Sequence, residues 1–157
     1  MKKQLLIALL LFSIIGFSNP LKAQSLLVYQ YWNSTLHRHF YTTNSNELGN
    51  GKDGWILEGI KFKLYATGSN PSPGFYFGAS VYRFYNSTTY AHYYTMNMNV
   101  YPNGFHLESI MGYTPPGGAL IYPVYEFYGS GDYYYSTSSS TPSGYVLNGI
   151  AYYAAIP

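Results

Sequence analysis

The sequence predicts an all-β protein: three repeats of about 45 residues closed with pseudo-threefold symmetry, in the manner of a β-trefoil. A compact three-bladed, propeller-like arrangement is the alternative. Three observations carry this. One pattern of short blocks recurs three times between Val28 and Ile150. Each block is short, aromatic and β-branched, and is bounded by Gly, Pro, Asn or Ser, which is strand and turn chemistry. Sustained 3.6-residue periodicity is lacking after the N-terminal segment, where one helical turn around Ser45 to Leu48 is the most that the pattern allows.

The first 23 residues are expected to be a secretion signal. Lys2 and Lys3 precede an uncharged apolar run from Leu5 to Phe17, and Leu21-Lys22-Ala23 offers a small residue before the cut. That run is too short to span a bilayer comfortably. Cleavage after Ala23 leaves residues 24–157 as a single β-domain. The full chain carries a net charge of +2. Removal of Lys2, Lys3 and Lys22 leaves five basic residues against six acidic ones, a net of −1. No basic stripe remains to neutralise phosphates, which argues against nucleic acid as a partner. After cleavage no membrane attachment is expected, and with no cysteine neither lipidation at an N-terminal cysteine nor disulfides are available. The secreted domain is large enough to bury a core without such staples.

The repeats fall at about residues 27–65, 80–113 and 123–153. Their first blocks are Val28-Tyr29-Gln30-Tyr31-Trp32-Asn33, Val81-Tyr82-Arg83-Phe84-Tyr85-Asn86 and Val124-Tyr125-Glu126-Phe127-Tyr128-Gly129. Alternation along a strand puts Tyr29, Tyr82 and Tyr125 on one face with Tyr31, Phe84 and Phe127. These positions are always aromatic and are assigned to the core. Gln30, Arg83 and Glu126 differ in charge at one position, which is therefore assigned to the solvent face. Trp32, Tyr85 and Tyr128 share that outer face at the strand end.

Turns follow at Asn33-Ser34-Thr35, Asn86-Ser87-Thr88 and Gly129-Ser130-Gly131-Asp132. The second blocks are His39-Phe40-Tyr41-Thr42-Thr43, His92-Tyr93-Tyr94-Thr95-Met96 and Tyr133-Tyr134-Tyr135-Ser136-Thr137. The third blocks place Leu57, Leu107 and Leu147 three residues before Ile60, Ile110 and Ile150. Two core anchors three apart break strand alternation, so a β-bulge is predicted at Glu58-Gly59 and its counterparts. Glu58, Glu108 and Asn148 share an acceptor oxygen but not a charge, so that position is expected to need an acceptor. A fourth strand per repeat is expected from Phe62 to Tyr65, Phe75 to Phe77 and Leu120 to Tyr122.

The chemistry points to binding. His39 and His92 are candidates for acid–base or ligand roles, yet a histidine repeated at a strand start is more simply structural. The pair His37 and His39 has no carboxylate at matching spacing, so no metal or other cofactor is expected. No G-x-S-x-G, H-E-x-x-H or P-loop motif is present, and an enzyme would require one cleft to gather His39, Glu47 and Arg38. The two Asn-Ser-Thr stretches match glycosylation acceptors, a match common in turns of this composition. Rings on a rigid β scaffold beside amides and hydroxyls suit sugar faces. The expected ligand-binding residues are Trp32, Asn33, His39, Tyr85, Asn86, His92 and Tyr128. The expected partner is a glycan or another cell-surface ligand. A structural or protein-interaction module is the alternative, and the sequence sets no oligomeric state.

Tyr82-Arg83-Phe84-Tyr85-Asn86, His92-Tyr93-Tyr94-Thr95 and Leu107-Glu108-Ser109-Ile110, with His39-Phe40-Tyr41-Thr42-Thr43 in the first copy, resemble the repeat of the family known as domain of unknown function 5648. The resemblance spans about Leu27 to Tyr153. It implies secretion and a module that often accompanies extracellular hydrolases, and it carries no assigned activity. The third copy departs from the pattern with Tyr133 in place of histidine, and Val100 and Thr141 stand where the first copy has Glu47.

Overall fold

The computed structural model describes residues 24–68, 77–117 and 119–157. The expected signal segment, residues 1–23, lies outside the described residues. The described residues form nine strands and no helix: β1 (Ser25–Asn33), β2 (Arg38–Thr42), β3 (Trp55–Tyr65), β4 (Ser80–Asn86), β5 (Ala91–Thr95), β6 (His106–Tyr113), β7 (Tyr122–Gly129), β8 (Asp132–Ser136) and β9 (Val146–Ala154). All pairings are antiparallel. One sheet has the order β2-β1-β3-β6-β4-β5 and the other β8-β7-β9. Among the described residues the long sheet is joined at its middle only through Tyr65 opposite Tyr113. A bridge between Lys63 and Ala155 links the chain end to β3.

Neither sheet closes into a barrel among the described residues, so the closed barrel that a β-trefoil requires is absent there. No fourth strand of a repeat stands among the described residues either. Phe62 to Tyr65 continues β3, because β1 extends back to Ser25 and keeps pairing with it. Leu120 and Ile121 precede β7, and Tyr122 opens it. Phe75 and Tyr76 lie outside the described residues, and Phe77 sits in a turn. The expected helical turn is a single turn, with Gly49 N–H donating to Ser45 C=O at 3.0 Å.

The predicted bulges are present. Along β1 the partner in β3 jumps from Gly59 to Leu57, leaving Glu58 as the extra residue. The same jump leaves out Glu108 in β6 and Asn148 in β9. A second bulge in each strand leaves out Lys61, Met111 and Ala151. Gly59 and Gly149 take φ of 119° and 138°, a conformation that glycine reaches without a Cβ penalty.

The bulges explain a correction to the face assignment. Gln30, Arg83 and Glu126 are buried, at 2%, 9% and 7% exposure, and not on the solvent face. Each extra residue in the third strand turns its side chain toward one of them. Gln30 Nε2 donates to Glu58 Oε2. Arg83 Nε lies 2.7 Å from Glu108 Oε2. Asn148 Nδ2 donates to Glu126 Oε1 at 2.9 Å. A polar group can be buried when it keeps a hydrogen-bond or ionic partner, and here the partner reaches in from the exposed bulge. The position at the bulge is thus an acceptor in β3 and β6, and a donor in β9.

The core also differs from expectation. Val28, Val81 and Val124 are fully buried in it, together with Phe62, Leu64 and Tyr152. Tyr31, Phe84 and Phe127 are buried as assigned, but on the opposite strand face. There they meet other segments: Tyr31 O–H donates to Gly49 C=O at 2.8 Å, and Phe84 stacks on Tyr101 at 4.4 Å. Tyr29, Tyr82 and Tyr125 are only half-buried. Ile60, Ile110 and Ile150 are exposed, because the bulges rotate them away from the core.

At the centre stand Tyr41, Tyr94 and Tyr135, all fully buried. Their rings meet edge to face, with centroids 5.6, 5.5 and 5.2 Å apart, a favourable aromatic arrangement. Each hydroxyl accepts from the backbone of another. Tyr41 N–H donates to Tyr94 Oη, Tyr94 N–H to Tyr135 Oη, and Tyr135 N–H to Tyr41 Oη, at 2.9, 3.0 and 2.9 Å. The ring of bonds ties β2, β5 and β8 together.

Candidate functional site

Three ring pairs cross the β1–β2, β4–β5 and β7–β8 hairpins next to their turns. Trp32 faces His39 at 4.6 Å, Tyr85 faces His92 at 4.8 Å, and Tyr128 faces Tyr133 at 4.9 Å. Trp32 and Tyr85 are half-buried and Tyr128 is exposed.

The first two pairs lie at clefts between neighbouring groups of strands. The first cleft, of about 230 Å³, is lined by Phe40, Trp55, Tyr85, Tyr90 and His92, with Glu47 and Glu108 among its polar groups. Phe40 packs edge-on against His92 at 4.6 Å and lies 5.6 Å from Trp55. Arg83 anchors the carboxylates: Nη1 and Nη2 donate to the two oxygens of Glu47 at 3.1 and 3.0 Å, a bidentate pair. Burial alone would lower the Arg83 pKa, but Tyr94, Glu47 and Glu108 outweigh it and hold the guanidinium charged. Burial, and then the Arg83 charge, depress the His92 pKa to about 3. Glu108 lies 3.6 Å from His92 Nε2, and that contact does not reverse the shift.

The second cleft, of about 600 Å³, is lined by Trp32, His37, Arg38, Asp132, Ser143 and Tyr145. Asp132, 2% exposed, is held by three donors or partners. His39 N–H donates to its Oδ1 at 2.8 Å, His39 Nδ1 lies 2.6 Å from Oδ2, and Tyr145 O–H donates to Oδ2 at 2.8 Å. Burial, and then Asp132, raise the Tyr145 pKa, so its hydroxyl keeps its proton. Arg38 joins the turns of three hairpins, donating to the carbonyls of His37, Thr89 and Ser130 at 2.8, 3.0 and 3.2 Å.

Tyr133 stands where the other hairpins have histidine, and there the space is filled. Tyr93 and Phe105 pack edge-on against it at 5.1 and 5.9 Å.

Asn33 and Asn86 are buried and hold their turns. Asn33 Oδ1 accepts from Thr35 and Leu36 N–H at 3.1 and 3.0 Å, and Asn86 Oδ1 from Thr88 and Thr89 N–H at 3.0 and 3.1 Å. Turn structure accounts for these two asparagines. His39, Glu47 and Arg38 are not gathered in one cleft: Glu47 serves Arg83, His39 serves Asp132, and Arg38 serves backbone carbonyls. Among the described residues no group of three His, Asp or Glu side chains is placed to hold a metal ion.

Sequence reasoning missed Asp132, Tyr145, Trp55 and Tyr90. Trp55 and Tyr145 carried a signal, since an aromatic follows glycine at 54, 104 and 144. Asp132 carried none, because Arg38 and Ala91 stand at its equivalents.

No curated protein and no solved structure matches the chain. Residues 27–155, nearly all of the described chain, match one family along their whole length. The chain belongs to the family described as domain of unknown function DUF5648.

Proposed function

We propose that this chain is a secreted, non-catalytic binding module whose ligand is carbohydrate. One observation carries the reading: Phe40, Trp55, Tyr85 and Tyr90 bring rings together in a cleft that also holds Glu47 and Glu108. Rings bind the apolar faces of a sugar, and the carboxylates accept from its hydroxyls. The second cleft repeats the theme with Trp32 beside Arg38 and Asp132, and two sites in one chain add avidity toward a polymer.

In this reading β1–β3, β4–β6 and β7–β9 are three copies of one unit, closed with pseudo-threefold symmetry around Tyr41, Tyr94 and Tyr135. The open sheets and the meeting of β2, β5 and β8 at the centre favour the three-bladed, propeller-like arrangement over a trefoil. Residues 1–23 act as the signal and are removed after Ala23.

A glycan array followed by calorimetry tests the binding. Saccharide binding is expected to weaken in Tyr85→Ala and Trp32→Ala while both variants stay folded. A folded parent chain that binds no saccharide defeats the proposal. A protein-interaction module is the second reading, favoured by the exposed aliphatic residues Ile56, Ile110, Val146 and Ile150 on β3, β6 and β9. Light scattering that shows concentration-dependent self-association, lost in Ile110→Ser, would support it.

A further inference from the structure

We propose that the cleft lined by Phe40, Trp55, Tyr85 and Tyr90 takes a sugar bearing a free ammonium group, so that the ligand is an amino-sugar chain lacking N-acetyl groups. The inference rests on the carbohydrate reading above and names the sugar class for one of its two clefts.

The walls come first. Phe40, Trp55, Tyr85 and Tyr90 line this cleft, and the negative faces of such rings attract an ammonium group. The charges point the same way. Glu47 and Glu108 also line the cleft, and two carboxylates share the single guanidinium of Arg83. Arg83 is 9% exposed, whereas the Glu108 side chain is 38% exposed and engages Arg83 through Oε2 alone. Its Oε1 is left for a ligand. Burial and the Arg83 charge hold His92 neutral at ordinary pH, with a pKa of about 3, so the imidazole does not offset the carboxylates.

His92 adds a second, independent pointer. Its Nδ1 is buried and has no hydrogen-bond partner among the described residues. In the tautomer with the proton on Nε2, toward Glu108, Nδ1 is an acceptor that lacks a donor. The atom has almost no accessible surface, so its unmet lone pair adds to the negative lining of the wall without touching the ligand. The volume of about 230 Å³ is below the range of about 300–1,000 Å³ usual for drug-sized ligands, which suits one sugar ring. The second cleft differs, because it sets Arg38 and His37 beside Trp32. The ammonium group should be read at the first cleft alone.

Calorimetry on the full chain at about pH 5.5, where an amine keeps its proton, provides the test. The probes are β-1,4-linked oligosaccharides of one length made of glucosamine, N-acetylglucosamine or glucose. The glucosamine chain should bind about tenfold tighter than the other two, and added salt should narrow the gap. Glu108→Gln should abolish the preference. Should that variant fail to fold, Tyr90→Asn tests the cage instead. Tyr90 is an exposed ring at φ 57°, a conformation asparagine tolerates, and its loss should weaken glucosamine binding with no change in melting temperature. Equal binding of all three chains overturns the ammonium inference and leaves the carbohydrate reading standing. Preference for glucosamine that survives in both variants overturns its placement in this cleft. Binding of none of the three overturns the inference, and a blank glycan array overturns the carbohydrate reading with it.

Discussion

The pairs Gln30–Glu58, Arg83–Glu108 and Glu126–Asn148, each with its first member buried and its second exposed, solve one packing problem with three charge states. Glu126 is a buried carboxylate. Burial raises its pKa, against the hydrogen bonds from Asn148 and Tyr135. A carboxyl with a raised folded pKa takes up its proton more readily when folded, so it favours the folded state as pH falls toward that pKa. Glu126→Gln should therefore raise the melting temperature more at pH 7.5 than at about pH 5, and an equal gain at both pH values would contradict the shift. His92 carries the opposite sign for a base. Its folded pKa of about 3 lies below the ordinary value of 6.5, so stability is lost as pH falls through that interval. Its ring proton resonances should stay fixed from about pH 8 to pH 4.5, and His92→Tyr, the residue found at Tyr133, should reduce the acid sensitivity of melting. A resonance that titrates near pH 6.5 would refute the assignment. The placement of Gln30, Arg83 and Glu126 was not legible in β1, β4 and β7 alone. Variation in charge was read as solvent exposure, whereas the matching change at Glu58, Glu108 and Asn148, two blocks later, shows a pair changing together.

At the scale of the element, the bulge in each third strand brings those partners together. It was legible, since two apolar anchors three residues apart cannot share a strand face. What the spacing did not show is that Leu57 and Ile60 are not the core anchors. Phe62 and Leu64 hold that role, and only the second bulge, at Lys61, sets their direction. Gly149 sits in the first bulge of β9 at φ 138°, with open space where a Cβ would stand. Gly149→Ala is opposed by backbone strain alone. Ser109 holds the same place in β6 outside the left-handed region, so the bulge can be built with a side chain. The substitution should therefore cost about 1–3 kcal/mol, measured by urea denaturation. A loss above about 3 kcal/mol would mean that the conformation at Gly149 cannot relax toward that of Ser109.

At the scale of the whole molecule, the three hairpins depend on one another through the central tyrosines. Tyr41, Tyr94 and Tyr135 were visible as the tyrosine standing third in each of the blocks that open at His39, His92 and Tyr133. Their role was not, because no single hairpin shows that its tyrosine serves a neighbour's backbone. The Tyr94 hydroxyl accepts from Tyr41 N–H and donates to Tyr41 C=O at 2.9 and 2.8 Å. Tyr94→Phe keeps the ring and its edge-to-face contacts but leaves a buried N–H and C=O unmet, at a cost of about 1–3 kcal/mol. The bonds close a ring, so the losses should not add. Tyr94→Phe breaks the link from β5 to β2, and Tyr41→Phe breaks the link from β2 to β8, where the hydroxyl accepts from Tyr135 N–H. Once either link has loosened, the remaining hydroxyls no longer hold the strands at bonding distance. The double variant should lose less than the sum of the two single losses, with a coupling of about 0.5–3 kcal/mol in a double-mutant cycle by chemical denaturation. Each variant should still melt in one transition, because all three strands lose register together. Additive losses, or separate transitions for the two sheets, would show that β2, β5 and β8 are held independently.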